Sequence, residues 1–218
     1  MTSTKENIFV GFGLGAIQSG LFLYEAQKAG KTQRMVVAEV IPEIIQNVRR
    51  NKGFIKVNIA HPDHVEAVDI GPIEVLNPNI DRDRRILIDA IASAKAISTA
   101  LPGTKFYGDP TKPNTPSSIL LAGFQRKIRS NGPKAVVYTA ENHNHAAEIL
   151  QRCVLEKIAH EEQERILNTV EFLNTVIGKM SGITTDRGEI DGLCFTNTTS
   201  NKHKAILVET FNQKKITK

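Results

Sequence analysis

The chain has 218 residues, and its 28 Lys and Arg against 23 Asp and Glu give a formal net charge of +5. This length suits one ordinary domain, or one domain with the beginning of another. A composition of 40% hydrophobic and 23% charged residues excludes a disordered chain. The sequence has no apolar run of about 18 residues to span a bilayer, and its N-terminus lacks the pattern of a secretory signal. We therefore expect a folded, cytoplasmic protein.

The basic surplus raises the question of nucleic-acid binding. The Lys and Arg residues are dispersed among acids or set at helical spacing, as in residues 47–52 (NVRRNK) and 81–85 (DRDRR). They lack the interleaved aromatic residues of a single-strand binder. We therefore expect solvated basic faces and no nucleic-acid partner.

Short apolar runs alternate with amphipathic segments along the chain, which is the pattern of a parallel sheet covered by helices. The apolar runs predict strands over residues 7–12, 34–40, 54–59, 67–76, 96–101 and 134–139. Helical spacing predicts helices over residues 20–29, 41–51, 84–94, 117–128, 146–155 and 161–170.

The last quarter of the chain differs in character. Residues 170–183 are interpreted as an apolar helix interrupted by Gly178, and 205–211 as an exposed, alternating strand. The whole pattern predicts an α/β fold with a doubly wound, mostly parallel sheet of Rossmann type and the beginning of a second domain. We place the boundary near residue 155, which gives a first domain over 1–155 and the start of a second over 156–218.

A strand, a glycine turn and a helix follow one another at residues 7–29, in the order that a dinucleotide-binding site requires. Two registers fit the glycine pattern. The first uses Gly11, Gly13 and Ala16, whereas the second uses Gly13 and Gly15 with Gln18 in the third place. A structural turn without a ligand is the alternative to both.

The second register is preferred because it places the turn where the apolar strand has ended. It also lets Gly20 bring the helix close to the sheet. The amides at the helix start would then face a diphosphate. The predicted cofactor-binding residues of the turn are Gly13, Gly15, Ala16, Ile17 and Gln18.

Glu39 ends the second predicted strand, 24 residues after Gly15. That is near the offset of about 20 residues expected for a carboxylate that binds the adenosine ribose. Residues 40–43 contain no Arg to accommodate a 2′-phosphate, so NAD is favoured over NADP. The alternative is a solvated acid at the end of a strand.

Ligands of open parallel sheets lie beyond the carboxyl ends of the strands, so the residues that follow two later strands are further candidates. Thr99, Ala100, Leu101 and Pro102 are predicted to wall the ribose and nicotinamide, although Pro102 would also serve simply to end a strand. After the strand at 134–139, the polar run 141–145 (ENHNH) opens a helix.

Within this polar run, Asn142 is the predicted catalytic residue, because its amide can donate to a carbonyl or a developing alkoxide. Glu141 is predicted to bind the cofactor, and Glu141 or His143 to assist proton transfer. An N-cap role for Asn142, and a packing or rim role for His143 and His145, are the alternatives.

Metal binding is not predicted. His143 with His145, or His61 with His64, would supply two ligands, but no further His, Cys or Asp at suitable spacing supports a site. The two cysteines, Cys153 and Cys194, are expected to be reduced packing residues.

Together these motifs resemble the N-terminal, NAD-binding part of the mannitol dehydrogenase family, particularly its mannitol-1-phosphate 5-dehydrogenase branch. FGLGAIQSGLF is similar to the family's Phe-Gly-x-Gly-x-Ile-Gly-x-Gly turn, VAEV to its strand-two acid, TALPG to its Thr-Ala-Val-Gly-Pro strand end, and TAENHN to its Cys-Glu-Asn or Cys-Asp-Asn motif. VEFLNTVIGKMSG resembles its Val-Asp-Arg-Ile helix. Gln18 replaces a usual glycine, and Asn174 and Lys179 replace the usual Asp and Arg.

The resemblance implies a metal-independent, NAD-linked hydride transfer between a polyol or polyol phosphate and its ketose. Asn142 would match the residue that stabilises the alkoxide. The general-base lysine that the resemblance implies belongs to a later Lys-x4-Asn-x2-His motif, which these 218 residues do not contain. We therefore expect NAD binding with little turnover by this chain alone. A non-catalytic dinucleotide-sensing module is the alternative, and the sequence leaves the oligomeric state open.

Overall fold

The computed structural model describes residues 6–178, 181–192, 196–199, 204–210 and 214–217. Its strands are β1 (Ile8–Phe12), β2 (Arg34–Ala38), β3 (Ile55–Ala60), β4 (Val65–Ile70), β5 (Ile73–Leu76), β6 (Ala96–Thr99), β7 (Ala135–Thr139), β8 (Val170–Ile177), β9 (Ser181–Thr184), β10 (Ala205–Glu209) and β11 (Lys214–Thr217). Its α-helices are α1 (Tyr24–Lys28), α2 (Pro42–Arg50), α3 (Asp81–Ser93), α4 (Pro116–Arg129), α5 (Ala146–Leu155), α6 (His160–Leu167) and α7 (Arg187–Gly192). A π-helical segment, Gln18–Leu23, precedes α1, and a 3-10 turn, Thr104–Tyr107, follows β6.

The larger sheet has the strand order β11-β8-β7-β6-β1-β2-β5. Its strands from β8 to β5 are parallel, and β11 adds an antiparallel edge on β8. Taken in chain order, the six parallel strands have the 3-2-1-4-5-6 arrangement of the doubly wound dinucleotide fold. The predicted Rossmann-type fold is therefore confirmed. The order reverses between β1 and β6, where ligands of such sheets bind.

A smaller sheet with the order β4-β3-β10-β9 packs beside the helix that follows β1. A Cβ atom added at Gly20 would lie 2.1 Å from Val208 Cγ1 on β10. The close approach that Gly20 permits is therefore to this smaller sheet. The prediction that Gly20 brings the helix close to the main sheet is corrected accordingly.

The helix predicted over residues 170–183 is wrong. This segment forms β8, which pairs with β7 in parallel from Val170 to Asn174, and then β9. Val170 and Leu173 are buried. Periodicity alone does not distinguish a short apolar strand from a buried helix, and here pairing along the edge of β7 decides the structure.

The exposed strand predicted over 205–211 is also corrected. Its described part is β10, in which Ala205, Ile206 and Val208 are almost fully buried, because β10 lies between β3 and β9 and packs on the helix. Phe211 lies outside the described residues. The boundary near residue 155 stays a prediction, and the main sheet continues beyond it with β8 and β11.

None of the helices in the described part of the chain is long and apolar enough to cross a bilayer. Cys153 is half-buried and unpaired by any disulfide, and burial raises the pKa of its thiol. Cys194 falls outside the described residues.

Candidate functional site

The glycine turn begins directly after β1. Gly13 has a φ of +82°, a conformation that other residues rarely adopt, and a Cβ there would lie 2.8 Å from the carbonyl oxygen of Ala100. The N–H of Gly13 donates to the carbonyl of Ala38 at 2.9 Å. The turn is thus fixed between the ends of β2 and β6. Ala100 and Leu101 contact the turn, and their role as a wall of the cofactor site stays a prediction. Pro102, which follows them, is exposed.

Gly15 leaves open space at the start of the helix. A Cβ added there would meet no atom of the described residues within 4 Å, and the φ of Gly15 lies outside the left-handed region. The carbonyl of Gly15 accepts the N–H of Ser19 at 2.9 Å, and the helical segment 16–28 follows. The first N–H groups of a helix have no acceptor within it and attract anions. The N–H groups of Ala16 and Ile17, which are predicted to face the diphosphate, lie at this helix start.

The carboxylate of Glu39 points to this turn. Its Oε2 accepts the N–H of Leu14 at 3.0 Å, and its Oε1 accepts the N–H groups of Val40 and Ile41 at 2.7 and 2.9 Å. Glu39 is only 6% exposed. Because a carboxylate has about four acceptor positions, about one is left for a hydroxyl donor after these three N–H groups. Glu39 is therefore not a solvated acid at the end of a strand, which is the alternative interpretation of the sequence.

The side chain of Gln18 lies inside the fold, away from any diphosphate. It is fully buried, and its Oε1 accepts the hydroxyl of Ser98 on β6 at 2.9 Å. A Cβ added at Gly11 on β1 would lie 2.3 Å from Gln18 Nε2. Gly11 and Ser98 are register partners, so two small residues make room for this amide. The predicted cofactor contact of Gln18 is therefore restricted to its backbone atoms, for which it stays a prediction.

We expect Gly11→Ala to destabilise the protein by about 1 to 3 kcal/mol, because the new methyl group displaces the buried Gln18 amide from Ser98. The double variant Gly11→Ala/Gln18→Ala should recover at least about 1 kcal/mol of the summed single losses. Urea unfolding of the four proteins of this cycle measures the coupling. Strictly additive losses would show that Gly11 and Gln18 do not compete for the same space.

Glu141, which follows β7, forms buried hydrogen bonds with residues at and beyond the end of β6. It is 4% exposed, and it accepts hydrogen bonds from the Thr99 hydroxyl at 2.9 Å, the Leu101 N–H at 2.9 Å and the Tyr107 hydroxyl at 2.5 Å. Burial, followed by the charge of Glu141, raises the pKa of Tyr107 far above its usual value. Sequence reasoning did not find Tyr107, whereas Thr99 is one of the predicted wall residues. Glu141 therefore holds the predicted cofactor wall in place through Leu101.

Asn142 is exposed and borders a cavity of about 560 Å³ that also contains Ile17 of the glycine turn and Asn174 of β8. It does not cap α5. The cap contact comes from Asn174, whose Oδ1 accepts the N–H of Ala147 at 2.8 Å and whose Nδ2 donates to Glu148 at 2.8 Å. Asn142 is therefore not the cap of α5 and its catalytic role stays a prediction, whereas Asn174 has a structural role that sequence reasoning missed.

The histidines of this region are exposed, and His143 Nδ1 accepts the N–H of His145 at 3.1 Å. His61 and His64 stack on each other in the β3–β4 hairpin, with ring centroids 4.4 Å apart. Within the described ranges, no group of three or more His, Cys, Asp or Glu residues is placed to hold a metal ion.

The fold and the strand-end site are those of a dinucleotide-binding domain. The sequence profile of the mannitol dehydrogenase Rossmann domain matches residues 7–218, and the chain belongs to this family. A search of curated protein sequences finds no significant match.

The solved structures that resemble this chain include two polyol dehydrogenases. D-sorbitol dehydrogenase in its substrate-free form has a TM-score of 0.75 at 11% identity, over 98% of this chain and 52% of its own. Mannitol 2-dehydrogenase of Pseudomonas fluorescens, in a ternary complex with NAD and D-mannitol, has a TM-score of 0.73 at 15% identity, over 99% of this chain and 50% of its own. The chain thus spans about half the length of both enzymes, and identities this low establish the likeness of fold alone.

Proposed function

We propose that this chain binds NAD and provides the cofactor half of a polyol dehydrogenase. The observation that favours this most is the buried Glu39 carboxylate, which accepts the N–H of Leu14 beside the open start of the helix. A ribose hydroxyl would donate to Glu39, and the diphosphate would lie on the amides of Gly15, Ala16 and Ile17. The charge of Glu39 would repel the 2′-phosphate of NADP.

Exposed aliphatic side chains next to Glu39 suit an adenine ring. Val40 and Ile41 follow β2 and are 54% and 48% exposed, and Ile80 precedes α3 and is 47% exposed. These residues come from the ends of β2 and β5, which are neighbours in the sheet. Apolar residues this exposed at adjoining strand ends favour a site for a flat, apolar ring.

The cavity beside Asn142 suits the nicotinamide and the reacting carbon. It joins Ile17 of the glycine turn to Asn142 and to the end of β8. When bound, NAD would accept a hydride from a polyol or polyol phosphate of the mannitol-1-phosphate type, while the hydroxyl proton passes to a general base, giving the ketose and NADH. The Asn142 amide would donate to the oxygen on which negative charge develops, and Glu141 would hold the wall formed by Leu101.

Calorimetric titration with NAD and NADP tests the role of Glu39. Glu39→Ala should weaken NAD binding by about 1 to 3 kcal/mol, the range for hydrogen bonds to a charged group. The same substitution should narrow the preference for NAD over NADP, because it removes the charge that repels the 2′-phosphate. Glu161→Ala, which removes an exposed acid of α6, is the control and should leave both affinities unchanged.

Wild-type affinity in Glu39→Ala would contradict the assignment of the ribose site. A second test asks whether these 218 residues turn over substrate by themselves, and it follows NADH formation from mannitol and from mannitol 1-phosphate. For the 218 residues alone we predict NAD binding with little or no turnover. Polyol oxidation at ordinary enzymatic rates would contradict that prediction.

A further inference from the structure

A second cavity, of about 590 Å³, lies on the other side of the glycine turn from the strand ends. It is enclosed by the turn, by α2 and by the smaller sheet. Its volume falls within the range of about 300 to 1,000 Å³ that is typical of small-molecule sites. The aliphatic part of its wall consists of Leu14, Ile44, Val48, Ile55, Ile183 and Ile206, and polar or charged residues supply the rest.

Two hydroxyl groups of the wall lack hydrogen bonds. Ser19 is fully buried, and its Oγ has no partner among the residues that the structure describes. Thr198 Oγ1 on the smaller-sheet side is likewise buried and without a partner in this part of the chain. Buried hydroxyls are nearly always hydrogen-bonded, because leaving one unpaired costs free energy. Two of them on one cavity indicate a site for a ligand oxygen.

The charges of the wall favour a neutral ligand. Glu43 and Lys204 both line the cavity, so one negative and one positive group oppose each other there. A ligand with a net charge would be attracted by one and repelled by the other. The aliphatic surface, meanwhile, favours an apolar body.

We propose that this cavity binds a neutral, largely apolar molecule with one carbonyl or hydroxyl oxygen, which accepts hydrogen bonds from Ser19 and Thr198. The site is separate from the cofactor crevice and does not depend on the cofactor that binds there. Leu14 belongs to both, because its N–H donates to Glu39 and its side chain lines the cavity.

The neutral naphthalene ketone prodan is a suitable probe, because its fluorescence reports transfer from water and the protein contains no Trp. Titration is performed without NAD. Asn47, a half-buried residue of α2 that lines the cavity, gives the blocking variant Asn47→Phe. Gln46→Phe, at the exposed neighbouring position, is the matched control.

We expect saturable prodan binding that Asn47→Phe weakens at least about tenfold and Gln46→Phe leaves within about twofold. Ser19→Ala and Thr198→Val should each weaken it at least about threefold, since each removes one donor. The anionic naphthalene sulfonate ANS should bind at least about tenfold more weakly than prodan.

Three results would overturn the proposal. The first is the absence of saturable prodan binding, which would mean that the cavity holds only water. The second is equal affinity in Asn47→Phe and Gln46→Phe, and the third is affinity unchanged by both hydroxyl deletions. Because no arm of the experiment uses NAD, its failure would leave the cofactor proposal untouched.

Discussion

Replacing Gly15 by Asp is expected to remove most NAD binding while the protein stays folded. The site leaves space for a side chain, and Asp is among the best residues at a helix N-terminus. For the estimate, we assume a separation of about 5 Å between the added charge and a bound phosphate. At an effective dielectric constant of about 20, it would cost about 3 kcal/mol per phosphate charge, or a hundredfold or more in affinity. Calorimetric titration measures the affinity, and circular dichroism confirms the fold.

The matched control for this charge is Gly15→Asn, which has almost the same shape and a similar N-cap preference. Asn should retain measurably tighter NAD binding than Asp, by at least about tenfold, because only the charge differs. Equal affinities in the two variants would show that the diphosphate does not lie at Gly15.

Replacing Lys127 by Met is expected to lower the free energy of unfolding by about 3 kcal/mol. Lys127 is fully buried, and its ammonium group donates to the carbonyl oxygens of Ala94 at 2.7 Å and Pro133 at 3.0 Å. It thereby joins α4 to the end of α3 and to the segment that leads into β7. Met fills similar volume, but both carbonyls lose a charged donor.

Urea unfolding, followed by far-UV circular dichroism, measures this loss. The control is Lys134→Met, at an exposed position seven residues later, which should change stability by less than about 0.5 kcal/mol. A loss in Lys127→Met no larger than in the control would mean that the buried ammonium group contributes nothing net to the fold.

The parallel strands at the centre of the main sheet could be predicted from the sequence, because both of their faces are covered. β1, β2, β6 and β7 are short apolar runs bounded by turn residues, and this signal is local. β8 has the same apolar character. However, its residues also fit a buried helix, and only its pairing with β7 resolves the ambiguity.

The strand pairing of the smaller sheet could not be predicted from the sequence, for a different reason. β3 pairs with β10, and Asn58 Nδ2 donates to the carbonyl of Ile206, a contact between residues 148 positions apart. No local pattern records such a pairing. The burial of β10 follows from it, which is why the exposed strand predicted from alternation was wrong.

The residues of the candidate site likewise include some with a local sequence signal and others whose placement depends on residues far away in the chain. Glu39 could be predicted because its offset from the glycine turn is a property of the chain, and the structure places its carboxylate on that turn. The inward course of Gln18 depends on the small residue Ser98, 80 positions away. The cap on α5 likewise comes from Asn174, which lies on β8. Asn142 therefore does not have the N-cap role that the sequence alone left open.

A crystal structure of this chain with NAD tests the central claim most directly. The account predicts the diphosphate within hydrogen-bond distance of the amides of Gly15, Ala16 and Ile17, with a ribose hydroxyl donating to Glu39. A diphosphate bound elsewhere, or a ribose that leaves the Glu39 carboxylate without a new partner, would contradict it.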